Sequence, residues 1–95
     1  MFKIEDEWHA ELQDGDFPSL AAAAIELRRL AEIPWDQAPN VAPCTSWRTC
    51  GRKYEVVEYD TSVDPWRQIR RLEVLEIDSS GTRWLAPDIA GLGVN

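Results

Sequence analysis

Residues 19–33 read SLAAAAIELRRLAEI, and this stretch predicts the one long helix of the chain. At 100° per residue, its apolar side chains fall on one face and its charged side chains on the other. Ser19 is a favourable N-cap, and Pro34 ends the helix pattern. The predicted core-facing positions are Leu20, Ala23, Ala24, Leu27, Leu30 and Ala31. Because half of these are alanines, the helix is expected to approach a sheet closely.

Before the helix, residues 2–12 alternate with a period of two, which predicts one β-strand. The face expected in the core carries Phe2, Ile4, Trp8, Ala10 and Leu12 and is interrupted only by Asp6. The face expected in water carries Lys3, Glu5, Glu7, His9, Glu11 and Gln13. Asp14, Gly15 and Asp16 then supply turn chemistry.

After the helix, residues 34–43 contain three prolines and predict an extended loop, and the remainder of the chain predicts β-structure. The expected strands cover 52–59, 72–77 and 82–85, with a candidate beginning at 44–48. Asp64–Pro65 leaves open a short helical turn through residue 69. The chain is thus predicted to be a single α+β domain over 1–95, with a single helix packed on a small, mostly antiparallel sheet. Its predicted order is β-α-β-β-β with a loosely ordered tail at 86–95, and the place of the first strand in the sheet stays open.

The charge balance disfavours nucleic acid as a partner. The formal net charge is −7, and residues 1–43 hold nine acids against three bases. A nucleic-acid-binding surface needs a basic footprint that releases counterions from phosphate. No apolar run reaches membrane-spanning length. The sequence begins Met1-Phe2-Lys3 and then turns acidic at once, without the apolar core of a signal peptide. We therefore expect a cytoplasmic protein that does not bind membranes.

The residues that usually carry catalysis or bind metal do not converge in this sequence. His9 is the only histidine, and Cys44 and Cys50 are the only cysteines, expected to be free thiols unless a tight turn joins them. Two cysteines and one histidine fall short of the four ligands of a structural zinc site. The sequence also contains no phosphate-binding glycine motif. We expect no enzyme activity, no metal and no cofactor.

The leading hypothesis is a small acidic protein-interaction module that binds a basic protein partner. Inhibitors and immunity proteins share this small acidic α+β format, although no motif of either is present. The expected partner-binding residues are Glu5, Glu7, Glu11, Asp14, Asp16 and Trp35, with Trp8 as a second candidate anchor. The sequence leaves a homodimer open.

The alternative hypothesis is a small anionic-ligand-binding domain. Tryptophan and arginine adjoin repeatedly in the second half of the chain, and the expected ligand-binding residues are Arg48, Arg67, Arg70, Trp47 and Trp66. Arginines and tryptophans on neighbouring strands would form an anion-receptive face with aromatic walls. The competing structural interpretation is that these arginines pair with Glu55, Glu58, Glu73 and Glu76 across the sheet.

Overall fold

A five-stranded antiparallel sheet forms the framework of the protein in the computed structural model, which describes residues 1–41 and 51–93. The elements are β1 (Phe2–Asp6), β2 (Glu11–Leu12), α1 (Leu20–Ala31), β3 (Arg52–Asp60), β4 (Arg67–Asp78), β5 (Gly81–Trp84) and α2 (Pro87–Ala90). The strands lie in the order β2-β1-β3-β4-β5. The α+β class is confirmed, whereas the predicted order β-α-β-β-β matches only roughly.

The first strand is divided, which corrects the prediction of one continuous strand over 2–12. β1 ends at Asp6, a turn occupies 7–10 with Ala10 at a φ of 51°, and β2 returns antiparallel to β1. The turn removes Trp8 and Leu12 from the predicted core face, and both side chains are exposed. Asp6, the one interruption of the alternation, is instead fully buried. β1 lies inside the sheet between β2 and β3.

The helix α1 packs its predicted face on the sheet. Ser19 caps its N-terminus, since the hydroxyl oxygen accepts a hydrogen bond from the amide of Ala22 at 3.0 Å. The buried core contains Ala23, Ala24, Leu27 and Leu30 from α1 and Ile4, Tyr54, Val56, Val74, Leu75 and Ile77 from the strands. The prediction of this helix and of its buried face is confirmed.

A buried polar link joins the end of α1 to the centre of the sheet. The side-chain amide of Asn40 donates to the carbonyl oxygens of Leu30 and Ile33, at 2.8 Å each. The Leu30 carbonyl belongs to the last turn of α1, whose carbonyl groups have no intrahelical donors, and the Ile33 carbonyl lies just beyond the helix end. The Tyr54 hydroxyl donates to the Asn40 side-chain oxygen at 2.8 Å, and burial raises the pKa of Tyr54, which keeps the phenol protonated.

The C-terminal segment is more ordered than predicted. Within the expected loose tail of 86–95, residues 87–90 form α2, and Ile89 is buried in the core. The guanidinium of Arg28 on α1 donates to the carbonyl oxygens of Ala90 and Leu92, at 2.9 and 2.5 Å. These contacts hold the tail against the helix. Among the described residues, no helix is long and apolar enough to cross a membrane.

The strands β3 and β4 form a long hairpin that extends beyond the helix-covered core. At its closed end, residues 61–71 are all exposed, and we call residues 60–71 the arm. The helical turn that Asp64–Pro65 left open does not form, because β4 begins at Arg67. At the other end, Gly51 lies against the β4 backbone, where an added Cβ would be 1.9 Å from the carbonyl oxygen of Ile77. This close approach requires glycine.

Replacing Asn40 with leucine is expected to lower the free energy of unfolding by about 3 kcal/mol. The change removes two hydrogen bonds to the end of α1 and leaves the buried Tyr54 hydroxyl without an acceptor. Tyr54→Phe breaks only the last of these bonds and is expected to cost about 1 kcal/mol. Urea unfolding measures both variants, and equal losses would contradict the capping role of Asn40.

Candidate functional site: a cleft at one end of the sheet

The buried carboxylate of Asp6 is the polar centre of one end of the sheet. One oxygen, Oδ1, accepts hydrogen bonds from the amides of Trp8 and Lys53, at 3.1 and 3.0 Å. The other, Oδ2, accepts from Arg52 Nη1 at 3.0 Å and lies 2.5 Å from His9 Nδ1. Asp6 thus connects the β1–β2 turn to the start of β3.

Arg52 extends this network to the loop that follows α1. Its Nε donates to the carbonyl oxygen of Pro39 and its Nη2 to that of Val41, at 2.9 Å each. Nη2 also contacts the Glu11 carboxylate on β2 at 3.4 Å. One buried guanidinium therefore fixes β2 on one side and the loop on the other.

A cleft opens between these two walls. It consists of two adjoining depressions of about 290 and 250 Å³, which share Gln13, Asp14 and Pro39 in their linings. The first is also lined by Glu11, Leu12, Ala38, Val41 and Arg52, and the second by Glu26, Arg29 and Leu30. The cleft therefore runs from the edge strand β2 to the charged side of α1.

The rim of the cleft combines apolar and acidic side chains. Leu12 is 52% exposed and Val41 is 46% exposed, although both are large and apolar. Asp14 is exposed and makes no ion pair or side-chain hydrogen bond with any residue of the described ranges. The outer surface of Glu11 also faces solvent, since its side chain is 46% exposed. The rim thus offers apolar contact next to negative charge.

His9 lies in a different environment from the predicted solvated position on an acidic strand face. Its side chain is mostly buried, and Nδ1 contacts Asp6. A carboxylate that orients an imidazole also occurs in catalytic triads. Here the same carboxylate is held by Arg52 and two backbone amides as well, and this arrangement is that of a structural anchor. The misprediction follows from the turn at 7–10, which ends the alternation.

Three carboxylates converge on the helix-free face of the sheet. Oxygens of Glu7, Glu55 and Glu73 all lie within 4.8 Å of one another, a grouping that could hold a metal ion. The ammonium of Lys53 already bridges two of them, at 3.1 Å from Glu7 and 3.0 Å from Glu73. Lys53 therefore neutralises part of the negative charge of this cluster, as a bound metal ion would.

The titration of this cluster is uneven because Glu55 is buried. Burial, followed by the hydrogen bond to Glu7, raises the pKa of Glu55 above its ordinary value. The same hydrogen bond, together with Lys53, lowers the pKa of Glu7. Hydrogen bonds to Glu73 and Glu7 raise the pKa of Lys53. Glu55 thus stays protonated to higher pH and donates a hydrogen bond to the carboxylate of Glu7.

The predicted acidic partner-binding residues do not form one surface. Four of them have cationic partners within the chain: Arg71 for Glu5 at 3.1 Å, Lys53 for Glu7 at 3.1 Å, Arg52 for Glu11 at 3.4 Å and Lys3 for Asp16 at 2.6 Å. Glu5 and Glu7 lie on the helix-free face, whereas Glu11 and Asp14 lie at the cleft. Trp35 is half-buried and packs against the core. The cleft pair, Glu11 and Asp14, lies beside the exposed apolar side chains of Leu12 and Val41.

The structure describes three of the five residues of the predicted arginine and tryptophan site. Arg67 and Arg70 lie opposite Asp60 and Glu58 on one face of the arm, whereas Trp66 contacts Tyr59 and Lys3 on the other face. Trp47, Arg48, Cys44 and Cys50 lie outside the described residues. Arg67 pairs with Asp60 at 3.1 Å, and Arg70 pairs with Glu58 at 2.6 Å. Pairing across the sheet, the competing structural interpretation, also joins Arg71 to Glu55 and Arg83 to Glu76. The anion-binding role of the set stays a prediction.

Sequence reasoning named Glu11 and Asp14 as partner-binding residues but missed the other residues that build the cleft. Leu12 was expected in the core, and neither Asn40 nor Val41 carried a recognisable signal. Asp6 did carry one, because a lone acid in an apolar face either disrupts the strand or is buried with partners. Its partner Arg52 is 46 positions away, and no local pattern connects the two.

Comparisons of the chain with protein-family models, with curated proteins and with solved structures find no match. The geometry of the cleft and of the arm is therefore the basis for a functional proposal.

Replacing Asp6 with asparagine is expected to lower the free energy of unfolding by about 3 kcal/mol. The buried Arg52 guanidinium would lose its fully buried anionic partner. Asp16→Asn is the matched control, because it removes an exposed pair with Lys3 that is worth less than about 1 kcal/mol. Urea unfolding measures both, and a loss for Asp6→Asn as small as the control would contradict the central role of Asp6.

The raised pKa of Glu55 predicts a specific pH dependence of stability. A folded-state pKa above the ordinary value of 4.5 means that the native state retains a proton that the unfolded state has lost. The resulting stabilisation is complete below 4.5 and is lost as the pH rises through the folded-state value. Glu55→Gln imitates the neutral form and removes this titration.

The free energy of unfolding of the wild type, relative to that of Glu55→Gln, should therefore fall as the pH rises above 4.5. Urea unfolding across pH 4.5 to about 7 measures this difference. Glu32→Gln, on an exposed residue at the end of α1, provides the matched control. A constant difference between the wild type and Glu55→Gln over this window would contradict the assignment.

Proposed function

We propose that the protein is a non-enzymatic interaction module that binds a basic segment of a partner protein in the cleft between β2 and residues 38–41. The observation that carries this proposal is the rim itself, where exposed Leu12 and Val41 lie beside the carboxylate of Asp14. Large apolar side chains left half-exposed around a concavity are typical of protein-binding surfaces.

The apolar part of the rim supports a contact that excludes water. Leu12 and Val41 belong to opposite walls, so a side chain inserted between them would contact both. Burial of apolar area contributes about 25 cal/mol per Å² before the costs of association are subtracted. The cleft consists of two adjoining depressions, and this elongated shape suits an extended protein segment better than a compact small molecule.

The acidic part of the rim supports the choice of a basic segment. Asp14 has no cationic partner among the described residues, and Glu11 meets Arg52 only at 3.4 Å. A lysine or arginine of the partner would satisfy both carboxylates. The net charge of −7 also favours encounter with a basic protein at low ionic strength.

The rigidity of the walls supports binding without rearrangement. Arg52 holds the Pro39 and Val41 carbonyl oxygens on one side and Glu11 on the other. Binding to a preorganised surface costs less conformational entropy, because fewer side chains and loops must be ordered when the partner binds. Catalysis is less well supported, because the buried groups beside the cleft are committed to one another.

Photo-cross-linking in the native host tests this proposal. With a benzoylphenylalanine in place of Leu12, irradiation should give one discrete adduct whose linked peptide carries lysine or arginine. Asp14→Asn should lower the adduct yield roughly fivefold, the equivalent of one exposed ion pair. The yield should also fall as salt increases.

Two controls make the outcome decisive. The same photoreactive residue in place of Thr82, which is exposed on β5 far along the sheet, should give no such adduct. Asp88→Asn, in the distant helix α2, should leave the yield from position 12 unchanged. Equal adducts from both positions, an acidic linked peptide, or no adduct at all would each refute binding at the cleft.

A further inference from the structure

Half of the β4 strand has an open hydrogen-bonding edge. β4 pairs with β3 along its whole length, but β5 pairs only with residues 75–78. The amide of Leu85 extends this cover by one bond, to the carbonyl oxygen of Val74 at 2.7 Å. Among the described residues, no strand covers the outer edge of 67–73. Such an edge presents main-chain donors and acceptors in strand geometry.

The side chains of this edge disfavour pairing with a second copy of the chain. Residues 67–73 read RQIRRLE and carry a net charge of +2. In a two-fold antiparallel pair centred on Arg70, that arginine faces its own symmetry mate. Centring the pair between residues 70 and 71 places arginine against arginine twice. Like charges directly opposite one another destabilise strand pairs.

The two outermost arginines retain hydrogen-bonding capacity for an acidic ligand. Arg67 lies opposite Asp60 and Arg70 opposite Glu58, which places both on the same face of the sheet. Arg67 contacts Asp60 through Nη2 alone, and Arg70 contacts Glu58 through Nε alone. A guanidinium has five N–H donors, and these two side chains are 71% and 50% exposed.

Apolar side chains accompany the charges on this part of the arm. Ile69 is 55% exposed, at the position where the pairing of β4 with β3 shifts register. Trp66 is also exposed, and it is held in place by the Tyr59 ring, 6.2 Å between centroids, and by the Lys3 ammonium, 5.5 Å above the indole. An ordered aromatic side chain loses little conformational entropy when a partner covers it.

We propose that the edge of β4 over residues 67–73 accepts an extended acidic segment of a partner protein as a sixth strand. The main chain of the segment would pair with the open edge, and its carboxylates would pair with the outward donors of Arg67 and Arg70. Strand addition of this kind takes affinity from main-chain hydrogen bonds and specificity from side chains. The arm is separate from the cleft, so this proposal stands independently of binding there.

Nuclear magnetic resonance on the full chain tests the proposal with a synthetic probe. The probe is a blocked eight-residue peptide in which glutamate alternates with valine and threonine. It should perturb the amides of residues 67–73 and slow their hydrogen exchange. Arg70→Gln should weaken binding about tenfold, which corresponds to one charge-assisted contact. Arg83→Gln, on an arginine that is ion-paired but lies on β5, should leave the affinity unchanged.

Matched ligands separate strand addition from binding by the arginine side chains alone. A glutamine version of the peptide should bind at least tenfold more weakly, and a version N-methylated at alternate residues should not bind. Equal binding of the N-methylated peptide would overturn main-chain pairing. The same amide shifts with inorganic phosphate alone would replace the proposal by a small-anion site. Absence of any shift with the acidic peptide, or dimerisation of the protein through this edge, would refute it.

Discussion

The placement of a single buried carboxylate determines how one end of this molecule is organised. Asp6 is at the end of β1, is removed from solvent, and is stabilised there by two backbone amides and Arg52. Removing a charge from water costs several kcal/mol unless its partners are in place. The β1–β2 turn, the start of β3 and the loop after α1 must therefore assemble together. The cleft exists because Arg52 ties its two walls to that carboxylate.

The two faces of the sheet are stabilised by different interactions. One face is apolar and is covered by α1 and α2, with alanines that bring the helix close to the strands. The other carries an interleaved set of ion pairs, in which Lys53 bridges two glutamates and Arg71 bridges Glu5 and Glu55. Glu55 is buried within this set, whereas Glu7 and Glu73 are about half-exposed. The main effect of these ion pairs is to keep a helix-free face charged and ordered without a second layer.

The two ends of the sheet carry opposite local charge. At the cleft, Asp14, which has no ion-pair partner among the described residues, lies beside the exposed side chains of Leu12 and Val41. At the arm, residues 67–73 of β4 carry a net positive charge, and no other strand of the described residues covers their outer main-chain edge. The chain as a whole has a net charge of −7, but residues 67–73 carry a net charge of +2. The two proposals assign opposite partner chemistry to the two ends for this reason.

Local signals in the sequence are sufficient to specify the helix and most of the strand residues. The helix over 20–31, its Ser19 cap, its buried face and the strand cores at 52–59, 72–77 and 82–84 follow from periodicity and capping, which act within a few residues. The extension of β4 back to Arg67 was not predicted. The tertiary structure alone decided the division of the first strand, the burial of Asp6 and His9, and the docking of the tail by Arg28. The burial of Asp6 and the position of residues 90–92 depend on partners far away in the chain: Arg52 lies 46 positions from Asp6, and Ala90 lies 62 from Arg28. The free energy of burying a polar group depends on its partners, and a local sequence pattern cannot identify partners that are distant in the chain.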